Sequence, residues 1–286
     1  MISKSFAVRL AAVSLTGIWL AFSQQQAPPP DLNVIKIADD LHILEGSGGN
    51  TAVYQTDEGV ILVDDKFAQN VPQILAKVRG LTDKPIRYVL NTHLHGDHTG
   101  GNAELMKIPG VETFAYQAAR DMMIEQKLPG VPRIAFGDRG SVTLGGKTVE
   151  AYYFGRGHTR GDMFYYFPAR KTVHTGDLFV RTSPNIDYRS GASVKAWPAT
   201  LNAALKQFDA VEVVIPGHGA LGKKSDVAAW IKSFENVQAQ VRALQKKKVA
   251  KDQAYKQIKL EGLTDFAPSS FFERSFPGMW DELAAK

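Results

Sequence analysis

The chain of 286 residues contains no cysteine. That absence excludes disulfide staples, a lipid-modified cysteine at the start of a mature chain, and a thiol nucleophile. A G-x-S-x-G elbow is also missing, so no serine nucleophile stands out. The formal charge is only +5, with no basic stripe interleaved by aromatics, and nucleic acid is not expected as a partner. What is present is an ordinary globular composition, 44% hydrophobic and 22% charged, with ample material for a core.

The first residues differ from the rest. Lys4 and Arg9 precede Leu10–Phe22, a run without charge, and Ala21 and Ser23 are the small residues a signal peptidase reads. At 13 residues the run is shorter than the roughly 20 needed to cross a bilayer. Residues 1–23 therefore read as a secretion signal and residues 24–30, QQQAPPP, as an extended spacer whose prolines are stiff and unable to enter a sheet. Losing the leader lowers the formal charge to +3 and leaves an exported, periplasmic or secreted protein with no membrane anchor. Residues 31–286 carry no obvious linker and read as one domain.

The mature region opens with strand patterns. LHILEG and NTAVYQT lead through Asp57-Glu58-Gly59 into VILVDD, which predicts a hairpin of 52–56 with 60–64. NVPQILAKVRG has helical spacing, IRYVLNT is a short apolar strand, and a helix is expected from about Gly100. VETFAY and QAARDMMIEQKL add a strand and a helix. Beyond Pro129-Gly130 come two hairpins, one turning at Gly145-Gly146 and one at PARK, then a helix, the strand VEVVIPGHG and a Lys-rich helix of about 225–249. Polar segments are expected after it. This order predicts an α/β protein with two packed sheets and helices outside both.

NTHLHGDHTGGN places His93, His95 and His98 within six residues, although the chain has only seven histidines. His93 and His95 are two apart, so an extended segment projects both to one side. Gly96 lets the chain turn and re-aim Asp97 and His98, and Gly100 and Gly101 permit close backbone packing behind them. Downstream stand His158 in GRGHTRGD, Asp177 in HTGDLF and His218 in IPGHG, each beside glycine at a strand end. Converging imidazoles and carboxylates on a rigid scaffold are what a transition metal needs.

These motifs, in this order, closely resemble the metallo-β-lactamase superfamily of hydrolases, over roughly residues 41–222. The resemblance implies an αβ/βα four-layer sandwich with metals at one edge. It implies that His93, His95 and His158 hold one zinc, that Asp97, His98 and His218 hold a second, and that Asp177 bridges them. Asp64, at the end of VILVDD, matches the family's strand-end aspartate that supports the site from behind, although Asp65 beside it can take the part. His42 and His174 are left as structural. Five of seven histidines are then ligands.

The same resemblance implies chemistry. Two zincs sharing a hydroxide would attack a small-molecule carbonyl substrate, with Asp97 orienting the hydroxide. Iron or manganese also suits imidazole and carboxylate. Cysteine-bearing β-lactamases of the family use Cys at the position of Asp177, so this chain is not one of those. It looks most like exported β-lactamase-like hydrolases, and β-lactam amides are the leading substrate expectation. The alternatives are a lactonase or glyoxalase II-like thioesterase with the same site, a mononuclear-iron sulfur dioxygenase, or a metal-binding module without turnover. Substrate contacts are expected from Phe67, Arg181, Tyr188, Arg189 or Lys195, on loops that can close over the metals. Oligomeric state is not legible.

Overall fold

The computed structural model describes residues 30–259 and 270–285, and of residues 270–272 only the backbone. The expected leader and all of the spacer but Pro30 lie outside the described residues. Seven strands form the first sheet in simple chain order: β1 (Asn33–Ala38), β2 (Leu41–Glu45), β3 (Thr51–Gln55), β4 (Val60–Val63), β5 (Ile86–Asn91), β6 (Glu112–Tyr116) and β7 (Ile134–Phe136). β1 to β4 are antiparallel neighbours, whereas β4 to β7 run parallel. The second sheet has the order β12-β11-β10-β9-β8, from β8 (Arg139–Leu144), β9 (Lys147–Tyr152), β10 (Phe164–Phe167), β11 (Thr172–His174) and β12 (Val213–Ile215). Only β11 and β12 pair in parallel there.

Alternation along the strands builds the layers. In β4, Ile61 and Val63 face the second sheet, joining Tyr54, Leu90, Val149, Ala151, Tyr165 and Phe167 in a shared core. Val60 and Leu62, one residue out of phase, face the other way onto Ile74 and Val78 of helix α1 (Val71–Leu81). Because both faces are covered, all four residues of β4 are buried. Two one-turn helices follow β5, α2 (Gly96–Thr99) and α3 (Asn102–Leu105), and then α4 (Gln117–Glu125). The outer face of the second sheet is covered by α5 (Trp197–Gln207) and α6 (Lys224–Lys246), whose Trp197, Leu201, Trp230 and Phe234 pack on Phe164, Val173 and Val214. Each such large side chain contributes on the order of 2 kcal/mol by leaving water. The result is the expected helix–sheet–sheet–helix sandwich.

Four local expectations need correction. β1 and β7 go beyond the expected strands; both are edge strands, and β7 has three residues without alternation. The helix expected from Gly100 is two single turns broken at Gly100-Gly101. The break has a packing cause: Gly100 N–H donates to the Lys66 carbonyl at 2.8 Å and Gly101 N–H to Asp65 Oδ1 at 2.9 Å. A side chain at Gly101 would fall within 2.7 Å of the Asp65 carbonyl. Finally, the polar segments expected after α6 are a short α7 (Lys251–Ala254) and a helix α8 (Ser270–Ala284) that buries Phe276, Met279 and Leu283, at the i, i+3, i+7 spacing of a docking face.

Candidate metal centre

The parallel strands deliver the site. β4 leads to Asp64 and β5 to His93 from one sheet, while β11 leads to Asp177 and β12 to His218 in the other. Ligand groups at the carboxyl ends of parallel strands follow the general rule for open α/β sheets. His158 comes from the loop between β9 and β10. After β4 the chain takes two left-handed steps, with φ of 63° at Asp64 and 60° at Lys66. A non-glycine residue there is strained by about 1–3 kcal/mol, and the gain is that Asp64 points under the histidines.

All seven residues named from the motifs come together, in two groups. His93, His95, His158 and Asp177 form one, and Asp97, His98 and His218 the other; within each group the ligand atoms lie within 4.8 Å of one another. His95 Nδ1 is 3.1 Å from His93 Nε2 and 2.8 Å from His158 Nε2. His98 Nε2 is 3.3 Å from His218 Nε2, and Asp97 Oδ2 is 3.2 Å from His218 Nε2. Asp177 lies between the groups: Oδ1 is 3.2 Å from His98 and 3.4 Å from His218, while Oδ2 is 3.6 Å from His158. Its buried Oδ1 accepts no well-directed hydrogen bond. Gly217 is essential to this placement, since a Cβ there would overlap Asp177 Oδ1.

The outward nitrogens settle the tautomers. His158 Nδ1 donates to the Asn185 carbonyl at 2.7 Å, His95 Nε2 to Asp187 Oδ2 at 2.8 Å and His98 Nδ1 to Asp64 Oδ2 at 2.7 Å. Thr92 Oγ1 donates to Asp64 Oδ2 at 2.8 Å, so at 3.0 Å it accepts from His93 Nδ1. The rings of His93, His95 and His158 therefore each turn a lone pair inward, and His98 turns its Nε2 inward. Three lone pairs 2.8–3.1 Å apart repel unless a cation lies among them. Tetrahedral ligands on zinc stand about 3.3 Å apart for bonds near 2.0 Å. The spacing and the donor set both fit a metal ion, and oxygen acceptors behind ligating imidazoles are the usual outer support.

The charges agree. Burial, with neighbouring imidazoles, keeps His93 and His158 below the ordinary histidine range, so both are neutral, as ligands must be. Burial also opposes charge on His98 and His218, but Asp177 and the other carboxylates win, holding His98 well above its usual value and His218 up to about 9. Burial would likewise raise Asp97 and Asp177, yet the same imidazoles hold Asp97 down to about 2 and Asp177 well below the carboxylate range. Without metal this half is a proton-bearing ion cluster, and a divalent cation would release those protons.

The remaining candidates divide. Asp64 lies directly behind His98, while Asp65 turns away to Gly101 N–H. His174 is buried and points away from the cluster, Nε2 donating to the Asn50 carbonyl at 3.0 Å and Nδ1 accepting from Gly176 N–H at 3.1 Å. His42 lies in β2 beside Gln55. Phe67 is 38% exposed and flanks Gly48 and Gly100, next to the histidine loop. Three of the expected substrate contacts are engaged elsewhere: Arg181 pairs with Asp226 at 2.8 Å, the Tyr188 hydroxyl donates to Glu282 at 3.0 Å and Lys195 Nζ to the Ala285 carbonyl at 2.6 Å. Arg189 is exposed. Sequence reasoning missed Asp187, Asn185 and Thr92, because nothing local in a loop or strand end marks a residue whose partner is a distant ring.

The metallo-β-lactamase superfamily model matches residues 44–236, and the chain belongs to that superfamily; its metallo-β-lactamase relatives imply a metal-dependent hydrolase. A metallo-β-lactamase type 2 of Bacteroides fragilis is 28% identical over 205 residues, 67% of this chain and 81% of the relative. One of Elizabethkingia meningoseptica is 24% identical over 235 residues, covering 76% and 89%. Among solved structures, a metallo-β-lactamase from Pontibacter korlensis superposes with a TM-score of 0.66 at 23% identity, covering 72% of this chain and 100% of its own, and shows the fold. The helices α7 and α8 lie beyond the matched residues.

Proposed function

We propose that this chain is an exported hydrolase that holds two zinc ions and opens the amide of a β-lactam. His93, His95 and His158 would hold one ion, Asp97, His98 and His218 the other, with Asp177 shared. The observation that carries this reading is the set of inward lone pairs fixed by outward hydrogen bonds at His93, His95 and His158, with His98 Nε2 aimed inward by Asp64. Zinc suits that imidazole-rich set better than manganese or iron. Bound there, the ions would supply a Lewis acid for the carbonyl and acidify water. Asp97, ionised at neutral pH and at the edge of the cluster, would orient the attacking water and accept its proton. Phe67 offers an apolar wall beside the glycine-rich loop at residues 46–50, and Arg189 an exposed cation for a substrate carboxylate.

The relatives named as metallo-β-lactamases support lactams as substrate. A second reading, a lactonase or thioesterase, is favoured by one feature: an aspartate and not a cysteine stands at position 177. A single-iron dioxygenase would leave the Asp97, His98 and His218 group without purpose. The test is metal analysis of the purified protein with hydrolysis of a chromogenic cephalosporin. Two zincs with chelator-sensitive turnover support the proposal. Two zincs with turnover only on lactones or thioesters replace the substrate, and one iron overturns the reading.

A further inference from the structure

One loop holds two of the metal-site histidines from outside. Between Asn185 and Lys195, the Asn185 carbonyl accepts from His158 Nδ1–H at 2.7 Å and Asp187 Oδ2 from His95 Nε2–H at 2.8 Å. Asp187 N–H also donates to the His158 carbonyl at 3.2 Å, and its Oδ1 accepts from Ser190 N–H at 3.2 Å. Such loops keep a geometry only when something fixes their backbone.

Here the fixing comes from α8. Glu282 accepts from four groups of this loop: Tyr188 OH at 3.0 Å and Val194 N–H at 2.8 Å on Oε2, Ser193 Oγ at 2.6 Å and Lys195 N–H at 3.3 Å on Oε1. Ser275, about two turns earlier on the same face of α8, accepts Ile186 N–H at 3.1 Å. Ile186 itself is buried in the same core as Phe276, Met279 and Leu283. The backbone on both sides of Asp187 is thus bonded to one helix, and Gly278 has no side chain because the Tyr188 ring lies flat against it.

We propose that Glu282 is a positioning residue for the three-histidine group, and that α8, outside the family match, is a working part of the metal centre. It acts through the loop: Glu282 to Tyr188 and Val194, the loop to Asp187 and Asn185, and these to His95 and His158. The Asp97, His98 and His218 group is supported instead by Asp64 and by the β12 end, so it is independent of α8. This rests on the reading of the site as a two-metal centre.

The experiment measures zinc affinity by competition with a chromophoric chelator, in His218→Ala, which retains the three-histidine group, and in His95→Ala, which retains the other. Adding Glu282→Ala is expected to weaken zinc about 10- to 100-fold in the first background, the usual effect of losing outer support, and to leave the second unchanged. The cobalt(II) absorption bands of the three-histidine group should shift in the same variant. Equal weakening in both backgrounds, together with a lower melting temperature, marks a merely structural helix and overturns the proposal, as does no change in either. Should Glu282→Ala fail to fold, Tyr188→Phe removes a single one of these bonds and must show the same selectivity, more weakly. If the unsubstituted protein binds no zinc, the metal-centre reading falls and takes this one with it; if it binds two and Glu282→Ala changes nothing, only this one falls.

Discussion

Asp64→Asn tests how the two halves of the site are joined. Asp64 is fully buried, and its oxygens accept three hydrogen bonds: Oδ2 from His98 Nδ1 at 2.7 Å and Thr92 Oγ1 at 2.8 Å, Oδ1 from Thr92 N–H at 2.7 Å. One carboxylate thus orients His98 directly and His93 through Thr92. Asparagine tolerates the left-handed backbone at this position, so the variant isolates the hydrogen bonds from strain. Whichever way the amide turns, an NH2 faces at least one donor, a mismatch worth about 1–3 kcal/mol in a buried site. Loss of such support weakens metal binding about 10- to 100-fold, or roughly 1.4–2.7 kcal/mol.

Both metal groups should weaken in Asp64→Asn, whereas Thr92→Val should weaken only the three-histidine group, because it cuts the arm to His93 and spares the one to His98. The assay is zinc titration against a chromophoric chelator, with urea unfolding to confirm that each variant is folded. Parent-like affinity for both ions in Asp64→Asn would refute the argument. Equal weakening of both by Thr92→Val would show that the arms are not separate.

Three further outcomes follow from the same geometry. The metal-free protein should be most stable near the ordinary histidine pKa of about 6.5. The raised His98 and His218 contribute fully below it and lose that contribution as pH rises toward about 9, while the lowered His93 and His158 contribute fully above it and lose theirs as pH falls. Urea unfolding of chelator-treated protein from pH 5 to 9.5, spanning both windows, checks this, and a monotonic trend would count against it. His174→Ala should keep full metal content yet lose about 2–4 kcal/mol of stability, because it leaves the Asn50 carbonyl and Gly176 N–H unpaired; metal analysis showing a lost ion would make that histidine a ligand. Gly217→Ala should release metal while the far-ultraviolet circular dichroism is retained, since the new methyl displaces Asp177; unchanged stoichiometry would remove Asp177 from the ligand set.

The part of the site legible in the sequence is the part that makes local demands on the backbone. A ligand that follows an apolar strand must be turned inward at once, so His93 to His98, Asp177 and His218 travel with glycines, and the apolar run before each announces the strand. Gly217 beside Asp177 and Gly101 beside Asp65 show the cause, which is crowding that a side chain would forbid. The outer support makes no such demand. Asp187 meets His95 across 92 residues and Glu282 meets Tyr188 across 94, from a loop and a helix whose other residues are ordinary. An acidic residue in either place reads as solvated surface. His174 and His218 give the sharpest contrast. β11 and β12 are parallel neighbours, and His174 pairs in register with Ile215. The ring of His174, still within the strand, is bonded to the Asn50 carbonyl, while His218 stands three residues past the strand end and reaches the cluster. Position relative to the strand end, more than residue type, separates the two.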